Sequence, residues 1–230
     1  MRFSPRFLLA ALCASGLYMS SATGWNSPVQ AAECERFSSC LQQTLQSQTS
    51  LERVILSTRA LKLWNPSIPQ RDLLNVLKLR AEGLIKLHES GQAAHLNPLT
   101  YAREDYERFL KMAPGHWLPL SGLGRIAELK NQPAEAKTWL NRAVKTRQVG
   151  AFAARAAFLM RQQRWRLALN DINEALSLDK HNQQRAMGLT APQRGALYAL
   201  RSQIQTGLRH PLEARLDKDE ACQLGHQAAC

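Results

Sequence analysis

The sequence predicts an all-α chain, a short right-handed α-solenoid of about four helix–turn–helix units. Three observations predict it. Apolar residues recur three and four apart through most of the 230 residues, the period of a helix with one buried face. Small residues return at a near-constant interval: Ala102, Ala136, Ala168 and Ala214 are separated by 34, 32 and 46 residues. The periodic segments are divided by polar or proline-bearing breaks at Trp64–Pro69, Ser90-Gly91, Pro114, Lys130–Gln132 and Arg161–Arg164.

The first 32 residues read as a signal peptide. Arg2 and Arg6 precede an apolar run from Phe7 to Met19, too short for the roughly 20 residues a spanning helix needs. Small residues at Ala31 and Ala32 suit cleavage. The segment holds no acid, so its loss lowers the formal net charge from +12 to +10. Cys13 leaves with it, and four cysteines remain as local pairs, Cys34/Cys40 and Cys222/Cys230. An even number in an exported chain predicts disulfides. On one straight helix Cys222 and Cys230 would stand about 12 Å apart. A bridge needs Cα atoms within about 7 Å. A turn is therefore expected between them, at Gly225. The spacing lacks the C-x₂-C of a zinc knuckle, and no metal is expected.

Residues 33–50 are expected to form a disulfide-containing N-terminal cap, and 51–230 the helical repeat domain. Ser50 is the expected N-cap of a helix to Leu63, with Leu51, Ile55, Leu56, Ala60 and Leu63 as its stripe. The next helix runs from Arg71 to Glu89, with Leu74, Leu77, Ala81, Leu84 and Ile85 on one side. A long loop then leads to a helix over 100–114. Trp117–Leu129 and Pro133–Val144 form the cleanest unit, with proline tolerated in the first turn. Helices over 151–162 and 165–178 follow, the second burying Ala168, Ile172 and Ala175. The long third interval predicts an insertion of about 12 residues over 182–193. The last pair opens at 194–207, burying Leu197, Leu200 and Ile204, and closes in the cysteine hairpin.

The stretch Arg155–Asn182, with its alanines spaced seven apart at Ala168 and Ala175, resembles a tetratricopeptide (TPR) repeat, a unit of about 34 residues. The segment Ala221–Cys230 resembles the paired-cysteine hairpin of Sel1-like repeat proteins. The tetratricopeptide resemblance implies that first helices line a groove for extended or helical peptides. Its candidates here are Leu118, Ser121, Arg125 and Glu128 in one unit, and Gly150, Ala153, Ala157, Met160 and Arg161 in the next. It also assigns Gly124 a helix-packing place rather than a nucleotide-binding one.

Chemical motifs are sparse. There is no phosphate loop, no G-x-S-x-G and no H-E-x-x-H, and the six histidines are scattered, so no enzyme and no cofactor is expected. One electrostatic feature stands out. Ala136–Asn170 carries Lys137, Arg142, Lys145, Arg147, Arg155, Arg161, Arg164 and Arg166 and no acid. That span reads either as a basic patch for an acidic peptide, an anionic membrane surface or an envelope polymer, or as an ordinary solvated face. The expected function is an exported interaction scaffold with a protein or peptide partner, in a periplasm, a thylakoid lumen or outside the cell. A peripheral membrane or anionic-polymer binder is the alternative. Export argues against nucleic acid, and the oligomeric state is left open.

Overall fold

The computed structural model describes residues 34–92, 96–184 and 187–230. The expected signal segment lies outside the described residues. The fold class is the expected one: ten α-helices and one 3-10 turn, with no strand among the described residues. The chain divides into two compact units, Met1–Ala113 and Pro114–Cys230.

The first unit holds α1 (Phe37–Gln46), α2 (Ser50–Leu63), α3 (Gln70–Glu89) and α4 (Pro98–Met112). Neighbours in sequence pack against one another. A disulfide joins Cys34 to Cys40 with Cα atoms 5.1 Å apart, so the chain ahead of α1 is tied to its first turn. Both cysteines belong to one buried cluster with Phe37, Leu56, Ala60 and Val76. The cap of α2 is Thr49 rather than Ser50: its hydroxyl accepts from the Glu52 N–H at 3.1 Å. The expected α2 stripe is also rotated. Val54, Leu56, Ser57, Thr58 and Ala60 are buried, whereas Leu51, Ile55 and Leu63 are half-buried. The physical reason is that α1 and α3 both cover α2, so burial is not confined to one stripe. α3 is enclosed in the same way by α2 and α4. Gly83 permits the close approach: a Cβ there would stand 2.9 Å from Val54 Cγ2.

The second unit stacks three hairpins: α5 (Trp117–Leu129) with α6 (Pro133–Val144), α7 (Val149–Arg161) with α8 (Trp165–Gln183), and α9 (Ala191–Gly207) with α10 (Pro211–Gln223). Its core is continuous through Leu140, Phe158, Ile172, Leu197 and Ile204. Ala136, Ala168 and Ala214 are all buried, which lets the paired helices approach. All three hairpins turn the same way. The αL residue is Asn131, Gln163 or Arg209. The N–H after it donates across the turn, from Gln132 to Ala127 O at 2.9 Å, Arg164 to Leu159 O at 2.8 Å and His210 to Gln205 O at 3.0 Å. The same bond closes the chain after α10, from His226 to Ala221 O at 3.0 Å, with Gly225 at φ +82. The expected turn is therefore at Gly225. It brings Cys222 and Cys230 to a Cα separation of 5.0 Å, bridged, but the second cysteine follows a 3-10 turn (Gln227–Ala229) rather than a helix.

The expected insertion over 182–193 is helical only at its two ends, and residues 187–190 between them are not helical. α8 runs past Leu178 to Gln183, and α9 begins at Ala191. Asp179 is the reason. Its buried carboxylate accepts from the Leu189 N–H, Arg194 Nε and Gln183 Nε2, each at 2.7 Å, pinning both helix ends to one point. Thr190 and Gln193 then make a capping box for α9.

An ion pair recurs with the fold. Arg155 and Arg201 each stand 13 residues before the buried alanine of their hairpin, and Asp171 and Asp217 three after it. Each pair is bidentate: Arg155–Asp171 at 2.7 and 2.7 Å, Arg201–Asp217 at 2.8 and 2.6 Å. The remaining Nη1 reaches back one hairpin, to Asn141 Oδ1 at 3.0 Å and to Asn173 Oδ1 at 3.1 Å. In α4, Asp105 takes the same offset from Ala102 and pairs with Arg80 at 2.8 and 2.5 Å. In α5/α6 the corresponding residues are Leu123 and Trp139, an apolar substitute.

Candidate functional site

On α5, Ser121, Arg125 and Glu128 lie four and three apart. On α7, Ala154, Ala157, Phe158 and Arg161 share one stripe. With Leu140 of α6 these residues line a cavity of about 230 Å³ in the second unit. Five of the expected groove residues, Ser121, Arg125, Glu128, Ala157 and Arg161, meet there. Leu118, Ala153, Met160 and Gly150 are half-buried and do not line it. Gly150 instead makes room for the Trp117 ring, since a Cβ would fall 2.1 Å from Cη2.

Glu128 is the electrostatic centre of the cavity. Arg161 donates through Nε to Oε1 at 2.6 Å and through Nη2 to Oε2 at 2.7 Å, and Arg125 Nη1 donates to Oε2 at 2.8 Å. Burial alone would raise the carboxyl, but the hydrogen bonds from Arg161 and Arg125 outweigh it and hold Glu128 below the usual carboxylate range. Two guanidiniums facing one carboxylate leave this wall with one net positive charge. One turn before Arg125 on the same helix, Ser121 is buried at 8% exposure, and its Oγ has no hydrogen-bond partner among the described residues. An unsatisfied buried hydroxyl costs about 1–3 kcal/mol, so this oxygen is a locally unfavourable feature beside the cavity.

The sequence reading omitted Leu140, Ala154 and Phe158. Ala154 and Phe158 continue the stripe of Ala157 and Arg161, so helical spacing could have found them. Leu140 comes from the adjacent helix and could not be reached that way.

The eight basic residues of 136–170 separate into different environments. Arg155 is held by Asp171 and Asn141, and Arg161 by Glu128. Arg147 pairs with Glu174 at 3.6 Å at the surface, and Arg142 lies 4.6 Å above the Trp139 ring. Their acidic partners stand outside the acid-free span, which a window on the sequence cannot see. Lys137, Lys145, Arg164 and Arg166 are exposed, with no ion pair among the described residues. Among the described residues no group of three His, Cys, Asp or Glu side chains could hold a metal. Nor is any described helix long and apolar enough to cross a membrane.

The chain matches no protein-family profile and no curated protein sequence. Among the solved structures similar to it are MamA proteins. "MamA RS-1 ArsTM double mutant" is 13% identical, covers 90% of this chain and 98% of that one, and superposes with a TM-score of 0.46. "Crystal structure of MamA protein" is 16% identical, covers 69% and 82%, and superposes at 0.43. At that level the neighbours assign neither ligand nor pathway to this chain.

Proposed function

We propose that this chain is an exported, non-enzymatic tetratricopeptide-like scaffold that holds a peptide segment of a protein partner in the α5–α7 cavity. The observation that carries the reading is a cavity that sets the small side chains Ala154 and Ala157 beside the Arg125–Glu128–Arg161 cluster, with Ser121 in the same lining. A peptide supplies a small apolar group against Ala154 and Ala157 and a polar or anionic group beside the Arg125–Glu128–Arg161 cluster. Two disulfides suit an oxidising compartment, and the scaffold would act there in assembling an envelope or lumenal complex. The alternative role at a membrane or anionic polymer draws less support, because half of the basic span is engaged within the protein. The test is affinity capture from the native exported fraction. Wild-type protein should retain a specific partner that an Ala157→Trp variant, filling the cavity and melting normally, loses. Equal recovery by both would refute the groove, and no partner above background would refute the scaffold.

A further inference from the structure

A second cavity, of about 400 Å³, lies where α6, α7 and α8 meet. Its cations come from different helices, Lys137 from α6 and Arg164 from the turn into α8. Both are exposed and neither has an ion pair among the described residues. The third cation, Arg155, is spent: all its ion-pair and hydrogen-bond contacts go to Asp171 and Asn141, so that part of the wall is neutral and rigid. With Asn141 Oδ1 occupied by Arg155, its amide N–H groups are left as donors. The floor is Phe158, and the rim carries Leu167, a large apolar side chain 44% exposed.

We infer that this cavity is a binding site for an acidic segment of a partner polypeptide, its carboxylates held by Lys137 and Arg164 and an adjoining apolar side chain laid on Leu167. Charge complementarity selects the acid. Lys137, Arg155 and Arg164 against Asp171 leave the lining two positive charges in excess. Shape and the apolar rim select a polypeptide over a lipid surface. A concavity of this volume takes one or two side chains, whereas a membrane needs cations spread over a protruding face. The two unpaired cations of the basic span that do not line the cavity, Lys145 and Arg166, provide the internal control. This site is built on different cations from the α5–α7 groove, and each can fail without the other.

The test is fluorescence anisotropy with a labelled peptide repeating Glu-Glu-Leu, against a Gln-Gln-Leu control and phosphatidylglycerol vesicles. The acidic peptide should bind saturably and weaken with added salt. The K137E/R164E double variant should weaken it at least about tenfold, while K145E/R166E leaves it within about twofold; a tenfold loss corresponds to about 1.4 kcal/mol. L167S should weaken it severalfold without altering the salt dependence. All substituted positions are exposed, and matching circular dichroism melts establish that the variants fold. Three results would overturn the assignment: no saturable binding of the acidic peptide, an equal loss in both double variants, or vesicle binding that depends on Lys137 and Arg164 while peptide binding does not.

Discussion

Asp105 is 2% exposed and bonded at both oxygens to Arg80. Burial pushes its carboxyl above the ordinary carboxylate value, and the attraction of Arg80 does not reverse this. Desolvation thus outweighs the ion pair, the regime in which a buried pair adds little net stability yet is costly to break. Removing one partner, in R80A, should cost about 3–5 kcal/mol, because the remaining charge is left buried and unpaired. Replacing both, in R80M/D105L, should cost far less or stabilise. Urea unfolding of the three proteins checks this. Comparable losses in R80A and the double variant would show that Coulomb attraction, not desolvation, governs the pair. The α5/α6 hairpin already carries an apolar solution at the same two places, Leu123 and Trp139. Arg155 shows why this role was hidden from sequence. In a linear window it counts as one of eight cations, and its partner Asp171 lies one residue beyond the acid-free stretch. Repetition was the available signal, since Arg155 and Arg201, like Asp171 and Asp217, are separated by the same 46 residues as their alanines.

At the scale of the element, the junction of α8 and α9 depends on Asp179. Burial raises its carboxyl, but the hydrogen bonds from the Leu189 N–H, Arg194 and Gln183 prevail and hold it below the ordinary value. A carboxyl depressed in the folded state stabilises above its unfolded pKa, about 3.9, and that contribution is lost as pH falls through the folded value. D179N should therefore be less stable than wild type at pH 7, by about 1–3 kcal/mol given the half-buried Arg194 left without its partner. The gap should narrow below about pH 4 and close in stronger acid. Parallel thermal melts from pH 7 to pH 2 measure it, and a pH-independent gap would mean that Asp179 acts by shape alone. Helix existence and order followed from period and proline position, and so did the bounds of α5 and α6 and the last residue of α2, but the end of α8 and the start of α9 did not. The extra turns of α8 and the start of α9 follow from a carboxylate contacting residues up to 15 places away. The rotated stripe of α2 follows from two covering helices rather than one.

For the whole molecule, both disulfides are short-range, and each secures one end of a compact unit. Closing a loop as short as Cys222–Cys230 contributes about 2–3 kcal/mol by chain entropy. C222S/C230S should lose that amount in urea titration. Hydrogen exchange should rise around 221–230 and stay unchanged in α5 to α7, and a global loss of protection would show that the bridge nucleates the unit. Intact mass and thiol counting on protein from its native compartment tests export at the same scale. Cleavage near Ala31 with four oxidised cysteines is the expected result, and a full-length mass with free thiols would reverse the localisation.

Helical period, alanine spacing and break residues were local quantities, sufficient for the all-α fold class, the hairpin order and the turn at Gly225. That five of the candidate residues would fall on shared helix faces was also legible, because positions four and three apart share a face wherever that helix packs, and these five line one cavity. Which charges are free was not legible. Ion pairing is set by three-dimensional distance, and Glu128 meets Arg161 across 33 residues of sequence. Nor were the two cavities, because a void is the space left between helices after packing and belongs to no single segment.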